Sequence, residues 1–297
     1  MLTSVSALQT SELQVLTLSA RPFIKWAGGK ARLLAQYKPY LPKQFERYHE
    51  PFLGGGALFF HLAPHLRAAG KIAYLSDVNP ELVNVYQCVR DRLPSLISLL
   101  AEHQEQHSKT HYYSVRQRIT TDPIRRAARF IYLNKTCYNG LYRENSKGRF
   151  NVPMGRYKNP RICAPELLQA ASAALQIAEI SQRPFSAVLD KAINADDFVY
   201  FDPPYHPLSS TSKFTAYSRY PFGEKEQIAL RDIVVELVAK RAQVLASNSD
   251  CSFIRNLYNN FEIATITAAR SINSKATKRG KITEVLVVAT REAVIRR

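Results

Sequence analysis

The chain is poor in cysteine: four in 297 residues, at positions 88, 137, 163 and 251, with no Cys-x-x-Cys pair. So few, so scattered, exclude a disulfide framework, give no sign of structural zinc and fit a cytoplasmic protein. Long apolar runs are missing as well. None approaches the roughly 18 residues that span a bilayer, so a membrane role is not expected. The first twenty residues, MLTSVSALQTSELQVLTLSA, lack a basic start followed by an unbroken apolar stretch. That argues against a secretory signal, and residues 1–20 read as a flexible leader. Acids are also short, 24 against 41 bases, for a net charge of +17. Such a balance favours a polyanionic partner, nucleic acid before anionic membrane. Internal repeats and low-complexity tracts are absent.

What remains is ordinary globular composition, 46% apolar and 22% charged, in a length that suits about two domains. Residues 47–82 read as strand, glycine-rich loop, helix and strand: RYHEPF, LGGGALFFHLAPHL, KIAYLSD. This is a βαβ pattern, and its crossover implies parallel strands. Residues 85–175 are helical in period, strand-poor and basic; between Arg116 and Arg161 stand twelve Lys and Arg against Asp122 and Glu144. Strand signals then return in QIAEI, DFVYFD, QVLASNS, FEIATITAA and TEVLVVAT, with a helix over EKEQIALRDIVVELVAK. The last two strands predict an antiparallel hairpin around the basic loop 270–281. The expectation is an α/β sheet domain, residues 21–84 and 176–297, interrupted by a helical basic insertion at 85–175.

Three stretches carry chemistry. In EPFLGGGALFF, residues 50–60, glycines at a strand end permit a tight turn and close approach of backbone N–H groups to a ligand. Asp77 ends the next strand, 21 residues past Gly56, a spacing at which an acid meets ribose hydroxyls in dinucleotide folds. No Gly-Lys-Ser/Thr follows the glycines, so a phosphate-binding P-loop is excluded; a ligand with a ribose but no phosphate, such as S-adenosylmethionine, fits better. Upstream, PFIKWAGGKARLL holds the only tryptophan, Trp26, beside Gly28 and between Lys25 and Lys30. Trp26 reads either as a core anchor or, with Gly28 and Lys30, as one wall of that pocket, Lys30 being able to neutralise a carboxylate. The third stretch is FVYFDPPYHP, residues 198–207. Pro203 and Pro204 stop a strand abruptly, which presents Asp202 and Tyr205 at its carboxyl end, where open α/β sheets bind ligands.

In order and spacing, KWAGGK, EPFLGGG, LSDVN, CYNGLYRENSKGRFNVPMGRYKNP and YFDPPY resemble the motifs of the Dam-type N6-adenine DNA methyltransferases, the D12 class that includes the Dam and DpnM types. The resemblance covers about residues 21–290. It implies a Rossmann-like methyltransferase sheet with an inserted helical target-recognition domain, S-adenosylmethionine as cofactor, double-stranded DNA as partner and adenine in GATC as target. It places Trp26, Gly28, Lys30, Glu50, Phe52, Gly54, Gly56, Asp77, Phe185 and Asp202 at the cofactor. It gives the catalytic turn to Asp202, Pro203, Pro204 and Tyr205. It matches Tyr138 and Asn139 to the space left by the target base, Leu141 and Arg143 to readers of neighbouring bases, and Lys25 to the outer base. Asn151, Pro153, Arg156 and Lys158 match further DNA contacts. One departure is Pro184, where relatives commonly carry a polar residue before the aromatic that flanks the cofactor adenine. A monomer is expected; an orphan enzyme and one with a cognate restriction endonuclease in the host both remain open. Three other readings remain open here: the same fold methylating cytosine N4, a different adenine-containing site, and a DNA-binding regulator built on a dead enzyme.

Overall fold

The computed structural model describes residues 19–145, 147–191, 195–208, 222–269 and 281–291. Most of the leader 1–20 and of the basic loop 270–281 therefore lies outside the described residues. The chain forms two compact units. The first comprises residues 1–29, 54–70 and 79–180, and the second residues 30–53, 71–78 and 181–297.

The second unit is built on a mixed sheet. Its strands are β1 (Tyr48–Glu50), β2 (Ala73–Asp77), β3 (Ala178–Gln182), β4 (Phe198–Phe201), β5 (Gln243–Ser249), β6 (Glu262–Ala269) and β7 (Lys281–Ala289), in spatial order β3-β2-β1-β4-β5-β7-β6. Strand β3 enters this unit at Ser181. β1 is parallel to β2 and β4, and β4 to β5, whereas β7 is antiparallel to β5 and β6. The expected parallel core and closing hairpin are both present. Strand β4 is buried along its whole length, as a strand covered on both faces must be. Val199 and Phe201 join the core with Val244, Leu230, Val234, Leu237, Val285 and Val287. Of the residues on the other side of β4, Tyr200 meets Tyr37 edge-on and Phe198 packs on Phe45 and Tyr48.

The parallel part of the strand order has one reversal. From β1 the sheet runs outward to β2, and from the adjacent parallel β4 it runs the other way to β5. A crevice at the carboxyl ends of such a pair is where doubly wound sheets hold ligands. Glu50 ends β1, Asp77 ends β2 and Asp202 follows β4 directly, so all three acids lie along one edge.

The first unit is helical: α1 (Ala57–Ala68), α2 (Pro80–Asp91), α3 (Leu93–Glu105), α4 (Lys109–Gln117), α5 (Pro123–Thr136) and α6 (Pro165–Leu175). Its helix starts are legible in sequence. Asn79 accepts from the N–H groups of Glu81 and Leu82, Ser108 from His111, and Asp122 from Arg125. Prolines stand in the first turn of α2 and α5, where their missing N–H costs nothing. Helix α5 buries Ala127, Ala128, Phe130, Ile131, Tyr132 and Leu133.

Candidate active site and nucleic-acid interface

The Asp202–Tyr205 turn is held at every position but one. Lys30, only 3% exposed, places its Nζ 2.7 Å from Asp202 Oδ1 and 2.9 Å from Oδ2. Ser247 Oγ donates to Asp202 Oδ1 at 2.7 Å. The carboxylate that Lys30 neutralises in this structure is thus that of Asp202. Gln227 Nε2 donates to the Pro204 carbonyl at 2.9 Å. Tyr205 donates its phenol proton to Glu284 Oε2 at 2.7 Å, and the Lys30 ammonium stands 4.7 Å from its ring centroid. Burial, with Asp202 adding negative charge nearby, pushes this phenol well above its ordinary range, so it remains a donor. The exception is Pro203. Among the described residues none donates to its carbonyl.

Prolines suit such a turn. Their fixed φ holds the carbonyls in place and they bring no N–H to compete for the acceptors. Beyond the turn, the His206 N–H reaches Asn248 Oδ1 at 3.1 Å, and Ser249 Oγ donates to the His206 carbonyl at 2.7 Å.

Along the same sheet edge, Glu50 is buried and accepts from the Tyr48 hydroxyl at 2.7 Å. Burial and that carboxylate push the Tyr48 phenol well up. Asp77 is half-buried, and its backbone carbonyl accepts from Arg183 N. Phe52 and Phe185 stack with ring centroids 5.4 Å apart at 20°, and Phe222 packs edge-on against Phe52. A carboxylate at the end of β2 and a pair of part-exposed aromatic rings are groups that suit a ligand carrying ribose hydroxyls and an adenine. The donor set fits S-adenosylmethionine.

In the first unit, Trp26 is half-buried and stacks with Tyr142 and Phe130, centroids 5.9 and 6.4 Å away. Gly54 adopts φ +46°, and a Cβ there would stand 2.8 Å from the Trp26 ring. Only glycine satisfies both conditions. Gly56, at φ +64°, is the residue from which α1 starts, and Gly28 also has positive φ.

The residues matched to DNA contacts form a second group in the first unit. A tight turn, Tyr138–Gly140, follows α5, with Asn139 at φ +54° and Gly140 at φ +64°. Tyr138 is 53% exposed, and Asn139 is exposed too. The turn is tied to Lys25 through Asn134, which accepts from Lys25 N at 2.8 Å and donates to the carbonyls of Lys25 and Gly140 at 2.7 and 3.2 Å. A side chain on Gly140 would collide with that of Lys25. Lys25 Nζ lies over the Tyr157 ring at 3.8 Å. Arg143 and Asn151 bond to each other, Nε to Oδ1 at 2.6 Å, so the expected base reader and one of the further expected DNA contacts form one pair. Leu141 is half-buried; Pro153, Arg156 and Lys158 are exposed or half-buried at the surface.

The sequence reading missed Ser247, Asn248, Gln227 and Glu284. A signal existed: LASNS is a strand segment with Ser247, Asn248 and Ser249 all under 5% exposed. Polar residues in a fully buried strand need partners.

The family description D12 class N6 adenine-specific DNA methyltransferase matches residues 26–272. The chain belongs to this class. It is 43% identical to the type II methyltransferase M1.LlaDCHI of Lactococcus lactis subsp. cremoris, over 93% of this chain and 97% of the relative. It is 41% identical to the type II methyltransferase M.MjaIII of Methanocaldococcus jannaschii, over 88% and 96%. With the DNA adenine methylase of Escherichia coli K12 it shares 38% over 90% and 95%. Among solved structures, an rRNA methyltransferase of Streptomyces viridochromogenes superposes with TM-score 0.40 and 15% identity, over 95% of this chain and 94% of that one. The class makes the chain an S-adenosylmethionine-dependent enzyme acting on adenine N6 in DNA, and so sets aside both cytosine N4 and a dead regulator. Among the described residues no helix is long and apolar enough to cross a membrane.

Proposed function

We propose that the enzyme methylates the N6 of an adenine turned out of double-stranded DNA, within GATC, and that the Asp202–Tyr205 turn performs the chemistry. The observation that carries this is the contrast within the turn: Asp202 is fixed by Lys30 and Ser247 while the neighbouring Pro203 carbonyl receives no bond from the described residues. The amine at N6 is a poor nucleophile because its lone pair is delocalised into the ring. Asp202 and the Pro203 carbonyl each accept one N6–H, which draws the nitrogen toward a tetrahedral shape and aims its lone pair away from the ring. Tyr205 stacks on the base, a contact worth about 1–3 kcal/mol. Bound S-adenosylmethionine supplies an electrophilic methyl group on a sulfonium. The protein contributes positioning and fixed charge, the usual sources of acceleration in a direct displacement.

In this reading Lys30, Glu50, Phe52, Asp77, Phe185 and Asp202 hold the cofactor. The motifs alone assign Trp26, Gly28, Gly54 and Gly56 to the same ligand. Residues 85–175 recognise the target. Turning a base out costs a few kcal/mol of stacking and pairing, which Lys25, Tyr138, Asn139, Leu141, Arg143, Asn151, Pro153, Arg156 and Lys158 offset by contacts with the opened duplex. An arginine is suited to a bidentate guanine contact, and Arg143 would exchange its bond to Asn151 for one. The enzyme acts as a monomer, and a cognate restriction endonuclease is the partner that its relatives' type II names bring into view.

Plasmid DNA from a methylation-free host expressing this chain, sequenced with modified-base detection, tests the reading. N6-methyladenine in GATC on both strands is the expected result. The same mark in another sequence would refute the GATC assignment.

A further inference from the structure

Behind the catalytic turn lies a chain of two buried side-chain amides. Gln227, on helix α7 (Glu224–Ala239), is fully buried, and Asn248, on β5, is 2% exposed. Asn248 Oδ1 accepts from two backbone N–H groups, His206 at 3.1 Å and Ser249 at 2.9 Å. Its Nδ2 must therefore face the other way, and it donates to Gln227 Oε1 at 2.9 Å. Gln227 Nε2 is in turn directed at the Pro204 carbonyl, 2.9 Å away. The relay begins at backbone donors and ends at a backbone acceptor. Neither amide can flip without setting oxygen against oxygen at one end and N–H against N–H at the other.

The relay grips the turn on both sides of Tyr205: at the Pro204 carbonyl before it and the His206 N–H after it. We infer that Gln227 and Asn248 are positioning residues that fix the peptide planes of the catalytic turn, and with them the direction of the unclaimed Pro203 carbonyl. They touch neither substrate nor cofactor. Their effect is on the geometry of the amine acceptors, so it belongs to the turnover step rather than to binding. The inference rests on the reading of Asp202 and Pro203 as those acceptors.

Gln227→Leu keeps the approximate volume and removes both relay bonds. A misplacement near 1 Å costs about 10²-fold in rate, so kcat should fall about 10²-fold while KM for DNA and for S-adenosylmethionine stay within about twofold. Gln227→Glu gives a sharper readout. A buried carboxyl without a cationic partner is held protonated, and in that form the new side chain can donate to the Pro204 carbonyl while accepting from Asn248. This variant should recover most of the activity that Gln227→Leu loses, then fall away at alkaline pH where the wild type does not. Should Gln227→Leu fail to fold, the pH profile of Gln227→Glu decides alone. Wild-type kcat in Gln227→Leu, or a Gln227→Glu profile that tracks the wild type at all pH values, would overturn the inference. Asp202→Asn, measured in parallel, separates the two levels. If Asp202→Asn is inactive and Gln227→Leu turns over normally, the relay is structural and the reading of the turn stands. If Asp202→Asn turns over normally, the reading itself fails.

Discussion

The turn at 202–206 and the segment from Tyr138 to Lys158 make opposite use of their polar groups. In the first, side chains from β5, β7 and α7 each find a partner on the turn: Ser247, Asn248, Glu284 and Gln227. In the second, backbone bonds set the path, such as Tyr138 N to the Pro153 carbonyl and Asn151 N to the Arg143 carbonyl, while Tyr138, Asn139 and Lys158 stay exposed. The difference follows from the tasks. A displacement at one nitrogen needs acceptors fixed to within about half an ångström. On the proposed reading, recognising a duplex needs cations and amides that can exchange partners as the DNA arrives, and the Arg143–Asn151 pair would be one such exchange.

The contrast makes unequal demands on substitutions. The largest structural effect is expected at Lys30, whose ammonium is buried against Asp202. Removing one partner of a buried ion pair costs about 3–5 kcal/mol; because Asp202 retains 21% exposure, Lys30→Met should sit near the bottom of that range. Chemical denaturation measures it, and an unchanged midpoint would show the pair to be incidental. The smallest effect is expected at the surface cations. Arg156→Ala with Lys158→Ala should leave stability alone and lower the magnitude of the log–log salt slope of DNA binding by about 1–2, each lost phosphate contact contributing about 0.9. A slope equal to the wild type's would remove these two residues from the interface.

The sheet was legible because its strands are continuous apolar runs bounded by turn formers: FVYF is fully buried and stops at Pro203. The helix starts were legible because Asn79 and Asp122 precede prolines and cap through their own side chains. Of the acids at the sheet edge, Asp77 and Asp202 were found by their positions at strand ends, and Glu50 through the matched motif. What escaped was every partner of the 202–205 turn: even Lys30, expected in the wall of the cofactor pocket, was not paired with Asp202. Apolar period assigns Ser247 and Asn248 only to a strand, and nothing local says that Gln227, on a helix earlier in the chain, accepts from Asn248. Such partnerships arise from tertiary packing, which brings together groups whose sequence separation carries no pattern. Likewise, Phe52 and Phe185 could each be assigned to a cofactor from motif position, but their mutual stacking could not.

The central claim is that Asp202 serves the chemical step and not DNA binding. Single-turnover methylation by Asp202→Asn, with DNA affinity measured on the same preparation, addresses it directly. An asparagine keeps the shape while losing the charge and one acceptor. The account predicts DNA affinity within about threefold of the wild type and a methylation rate lower by about 10²–10³-fold, the scale of losing one preorganised electrostatic contact. A rate within about tenfold of the wild type at unchanged affinity would contradict it.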